Sequence, residues 1–183
     1  MARAQLLPIR IIGDKVLKTV AEPISDISDE LKAFIKDLTF TMYKRDGVGL
    51  AAPQVGRSVR IFVMDPFWSR EDIKKEPIVM INPEIIEKSG EQICEEGCLS
   101  VPDVYERVLR YDNIKVRFRN VEGEMMEMEA DEYVSDVIQH ENDHLNGVLF
   151  VDNINKLKLL PLMPRLKKLK ATTDENEENI RIL

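Results

Sequence analysis

At 183 residues, with 44% apolar and 32% charged side chains, the chain has the composition of a single ordinary domain with a real core. A net charge of -7 argues against a general nucleic-acid binder, DNA included, and no apolar run approaches the ~20 residues of a membrane span. Two cysteines make no disulfide framework, and Met1 to Lys15 lacks a basic stretch followed by an apolar core, so the expected compartment is a reducing cytoplasm.

Residues 1–25 read as extended and irregular, broken by Pro8, Gly13 and Pro23. Ser28 can cap a helix whose apolar stripe is Leu31, Phe34, Ile35, Leu38 and Met42, ending near Asp46-Gly47. The small residues from Gly47 to Gly56 suggest a loop; its G-x-G lacks the third glycine of a dinucleotide fingerprint. From Val59 to Ala130 the pattern changes to strands. Val59 to Met64 is one apolar run, and Ile78 to Ile81 is another, ended by Asn82-Pro83. Ile114, Val116 and Phe118 alternate with basic residues as a half-buried strand does, and Glu122-Gly123 marks a turn into a partner ending near Ala130. Pro161 and Pro164 interrupt the Leu/Lys stretch 157–170, which argues against one long helix there. Residues 172–183 read as a frayed, mostly acidic tail, leaving 1–171 as one catalytic domain.

The chain's only histidines, His140 and His144, fall in Gln139-His140-Glu141-Asn142-Asp143-His144. Tyr133, Val134, Val137, Ile138 and Leu145 give this stretch a helical apolar stripe, with Asp131 as N-cap and Gly147 as C-cap. Residues four apart share a helix face, so the two imidazoles can grip one metal ion, with Glu141 placed as a base for activated water. A third ligand must come from elsewhere, and Cys94 and Cys98 are the candidates. If both bound, the site would be a closed four-ligand structural centre. The roughly forty residues between the pairs exceed the spacing of compact zinc fingers, and that arrangement leaves Glu141 idle. A metalloprotease built on the same helix is the third alternative. Helix, then strands, then helix predicts an α+β fold.

Three stretches together resemble the peptide deformylases: Gly47-Val48-Gly49-Leu50-Ala51-Ala52-Pro53-Gln54, Glu96-Gly97-Cys98-Leu99-Ser100 and Gln139-His140-Glu141-Asn142-Asp143-His144. The resemblance spans about residues 8 to 153. It implies antiparallel sheets around a central metal-binding helix, flanked by an N-terminal and a C-terminal helix. The implied reaction is hydrolysis of the N-formyl group from the initiator methionine of new polypeptides, releasing formate.

By the same resemblance Cys98, His140 and His144 hold the metal, with Fe2+ the expected ion and Zn2+, Ni2+ or Co2+ able to replace it. Glu141 is the implied base, and the Gln54 amide and Leu99 backbone N–H are the implied oxyanion donors. An apolar pocket for methionine is implied, with Val48, Gly49, Tyr133 and Val137 as its candidate walls. Cys94 is then expected to be a buried small residue, Glu96 to bond nearby backbone, and Gln139 to serve helix packing or a supporting hydrogen bond. Asn142, Tyr105 and Asp136 depart from the family's usual residues, the last two bearing on substrate preference. Arg165, Lys167, Lys168 and Lys170 read as a solvated face, with weak ribosome contact as the alternative.

Overall fold

Ser28 starts the first helix, α1 (Asp29–Lys44), its hydroxyl accepting from the Leu31 N–H, and a left-handed Asp46 turns the chain away after it. The computed structural model describes residues 3–174. In it β1 (Gly49–Ala51), β2 (Ile61–Met64), β3 (Ile78–Ser89), β6 (Asn113–Arg119) and β7 (Met125–Asp131) form one antiparallel sheet, in the order β1-β2-β3-β6-β7. Two further strands, β4 (Gln92–Cys98) and β5 (Val101–Arg110), pair only with each other.

Every residue of β2 is buried, which is why it reads as an unbroken apolar run. Ile61 and Val63 point into one core with Leu31, Ile35, Leu38 and Met42 of α1. Phe62 and Met64 point into another with Ile138 and Leu145 of the second helix, α2 (Glu132–Leu145). The sheet therefore separates α1 from α2. The α+β expectation holds, with α2 near the centre, α1 early in the chain, and α3 (Lys156–Leu159) and α4 (Met163–Asp174) closing it.

Four local expectations change. The expected loop from Gly47 contains β1 and a 3-10 turn, Ala52–Val55, because pairing with β2 overrides the low strand propensity of its small residues. The strand from Ile78 does not stop at Asn82-Pro83. Asn82 takes a left-handed φ of 50°, its side chain bonds Ile24 in both directions, and β3 resumes pairing at Glu84 after a register shift. Asp131 stands at the N-cap of α2, but its side chain makes no capping bond. Helix α4 continues through 172–174, where Thr173 Oγ1 donates to Ile12 O at 3.0 Å; the rest of the expected tail lies outside the described residues.

Candidate metal centre

One face of β4 runs beside one face of α2 in matching steps. Two strand residues advance ~6.6 Å and four helix residues ~6.0 Å, so alternate β4 side chains can meet successive turns of α2. Gln92 Nε2 donates to Asp136 Oδ1 at 2.9 Å, Glu96 Oε2 lies 2.7 Å from His140 Nδ1, and Cys98 Sγ lies 3.3 Å from His144 Nε2. Cys94, in the same series, bonds Asp136.

The Glu96–His140 and Cys98–His144 contacts build the site. Cys98, His140 and His144 bring one ligand atom each to within 4.8 Å of one another. Thiolate and imidazole suit Fe2+, Zn2+, Ni2+ or Co2+, and the chemistry of the donor set fits a divalent ion. Three protein donors match a catalytic site better than a closed structural one. Cys94 is outside the cluster, which removes the four-ligand alternative. Nor is Cys94 buried as expected. It is half-buried on a cavity wall, with its thiol pushed up to about 12 by burial and Asp136.

Glu96 does not bond backbone as expected. It bridges His140 and Arg110, whose Nε and Nη2 lie 2.6 and 3.0 Å from the two carboxylate oxygens. Arg110 is itself buried and reaches Asp143 at 2.7 Å. Burial alone would raise the Glu96 carboxyl, but hydrogen bonds from His140 and Arg110 win and bring it down to about 2. An ionised Glu96 favours the tautomer with a proton on His140 Nδ1, which leaves Nε2 as the nitrogen available to a metal. Burial holds His144 neutral, as a ligand must be. No sequence signal marks Arg110, which arrives from the far end of β5 opposite Gln92.

Glu141 is 4% exposed, and its Oε2 is buried without a partner among the described residues. Burial, opposed by His140, pushes this carboxyl up to about 7. It packs so closely on β1 that a Cβ on Gly49 would lie 2.4 Å from Oε1, so the G-x-G motif makes room for this carboxylate and not for a phosphate. Gln54 Oε1 accepts from the Ala51 N–H, which turns Nε2 toward Cys98 Sγ and Ser100 Oγ, both at 3.4 Å.

These groups open on one cavity of about 630 Å³. Gln54, Leu99, Cys98, His140, Glu141 and all four expected pocket residues, Val48, Gly49, Tyr133 and Val137, line it. Tyr133 is 46% exposed, so it belongs to the cavity mouth and not to the inward apolar stripe. Tyr105 also lines the cavity and lies over Gly97, where an added Cβ would come within 2.5 Å of the ring. Gln139 faces away and bonds both backbone groups of Tyr111, the supporting role expected of it. Asn142 lines a separate cavity behind α2.

The family model described as "Polypeptide deformylase" matches residues 6–159. A peptide deformylase of Thermotoga neapolitana is 48% identical over 155 residues, covering 84% of this chain and 90% of the relative. A crystal structure of a peptide deformylase from Legionella pneumophila superposes with a TM-score of 0.83 at 38% identity, covering 93% of this chain and 99% of that one. A Met-Ala-Ser-bound crystal structure of a peptide deformylase from Acinetobacter baumannii gives 0.76 at 38% identity, covering 83% and 100%.

Proposed function

Because the chain belongs to the polypeptide deformylase family, and so hydrolyses the N-formyl group from N-formylmethionyl polypeptides, we propose which of its own residues perform that hydrolysis. The observation that carries the assignment is the buried Glu141 Oε2, unpartnered among the described residues, next to the Cys98–His140–His144 cluster, with Cys98, His140 and Glu141 lining one cavity.

Cys98 Sγ and the Nε2 atoms of His140 and His144 would hold the metal. A divalent ion there supplies Lewis acidity, lowering the pKa of water and polarising the formyl carbonyl. Glu141 takes the proton of the attacking water on Oε2 and later delivers it to the departing amine nitrogen. One carbon–oxygen bond forms at the formyl carbon, its carbon–nitrogen bond breaks, and formate and a free amino terminus leave. Gln54 Nε2 and the Leu99 N–H are the donors for the oxyanion; losing one such donor costs about 10²–10³ in rate. Val48, Gly49, Tyr133 and Val137 receive the methionine side chain and exclude water around it.

Fe2+ is the physiological ion in this reading, on the strength of the family resemblance alone, since the ligand set suits several divalent ions. The two unpaired cysteines support a cytoplasmic location, and no helix of the described residues is long and apolar enough to cross a membrane. Lys167, Lys168 and Lys170 are exposed on α4 and form the surface offered to ribosomal RNA, while Arg165 is engaged by Asp103. Ribosome binding that survives neutralising the three lysines removes that contact from the proposal.

The deciding experiment is formate release from formyl-Met-Ala-Ser by metal-loaded protein, run beside the unformylated peptide and an internally cleavable one. Formate from the first and no cleavage of the others is expected. Cleavage of internal bonds would instead establish the protease.

A further inference from the structure

Strand β2 ends at Met64 and its antiparallel neighbour β3 begins at Ile78, a join for which a hairpin needs only about 2–5 residues. The extra length is not loose. Segment 65–77 touches both walls of the cavity without lining it. On one wall Trp68 Nε1–H donates to Gly47 O at 2.9 Å, and Asp65 N–H donates to Val48 O at 2.8 Å. On the other, the Phe67 ring sits 6.1 Å from that of Tyr133, with the Arg70 guanidinium 4.1 Å from the Phe67 centroid.

The segment is itself anchored. Asp65 Oδ2 accepts from Tyr43 Oη at 2.6 Å and from Glu76 N–H at 2.9 Å. The Trp68 ring meets Tyr43 edge-on at 5.4 Å, and Lys75 Nζ lies 4.4 and 4.5 Å from the Tyr43 and Trp68 centroids. The wall it holds needs support. β1 is a three-residue edge strand, and the Gly47–Val48 lead into it is fixed by Met42 O on the Gly47 N–H and by this segment on both carbonyls.

We propose that residues 65–77 form a substrate-positioning strap, with Trp68 as its positioning residue. The strap ties the Gly47–Val48 wall to Tyr133 from behind the lining and so sets the width between them that is available to the formylmethionyl peptide. It acts through residues that line the cavity, so its effect falls on substrate binding and leaves the proton transfers of Glu141 alone. This inference rests on the deformylase activity assigned above.

Trp68→Phe keeps the ring and removes the indole donor. On formyl-Met-Ala-Ser, KM is expected to rise about fivefold, the scale of one hydrogen bond, with kcat within twofold. A lowered melting temperature with unchanged KM would make Trp68 merely structural and overturn the strap. A second readout needs no variant. Trp68 is the only tryptophan, so fluorescence excited selectively at indole, past the tyrosine band, reports on the strap. Titrating the wild-type holoenzyme with Met-Ala-Ser should shift its emission with the Kd that calorimetry gives; emission unmoved at saturation overturns the proposal. Wild-type formate release separates the two readings. Its absence overturns the activity and the strap with it, whereas an unchanged KM in active Trp68→Phe overturns the strap alone.

Discussion

Glu96 Oε2 lies 2.7 Å from His140 Nδ1, and the same carboxylate is gripped by the buried Arg110. This chain of contacts decides which imidazole nitrogen faces the cluster and holds the ring before any ion arrives. An outer carboxylate of this kind typically governs 10–100-fold in metal affinity or activity.

Glu96→Gln should therefore weaken metal retention by about 10–100-fold while leaving all three ligands in place. Competition with a chelator, followed by metal analysis, measures it. Arg110→Met should cost more in stability, because it strands a buried carboxylate. About 3–5 kcal/mol is the usual scale for breaking a buried pair, and thermal unfolding reads it directly.

Glu141→Gln should keep the full metal content and lose about 10²–10⁴ in kcat. The amide is nearly isosteric, so the tight fit against Gly49 survives. Wild-type turnover in this variant would refute the base assignment. Gly49→Ala tests the same contact from the other side: its Cβ would displace the carboxylate, and kcat should fall with metal content unchanged.

Cys94 offers a pH test with a definite sign. Burial and Asp136 push its thiol up to about 12, and only the thiolate alkylates. At pH 8 iodoacetamide should modify it roughly a thousandfold more slowly than a free cysteine of ordinary pKa. Its rate should climb about tenfold per pH unit through pH 10 with no plateau. Peptide mapping resolves it from Cys98. Cys94→Ser should retain both metal and activity; loss of the metal would revive the four-ligand site.

Metal identity is checked by purification without oxygen. If Fe2+ is the working ion, formate release should decay in air and persist after replacement by Ni2+. Equal air stability of the two forms would count against iron.

The sequence by itself determined what local chemistry and periodicity encode. Two histidines four apart on an amphipathic stretch define one helix face, and Ser28 and the α1 stripe define another helix, because these signals act within a few residues. The three motifs also marked the family. What only the tertiary structure decided are contacts between residues far apart in the chain. Residue types and spacing leave Cys94 and Cys98 open and only the family resemblance favours Cys98; the fold brings Cys98 to the histidines because β4 runs beside α2 with a step close to one helical turn. Glu96, expected to bond nearby backbone, becomes the partner of His140, and Arg110 enters the site at all because β5 folds back along β4. Trp68 reaches Gly47 across the β2–β3 connection. None of these pairings leaves a periodic trace, since each depends on how elements pack and not on how either element forms.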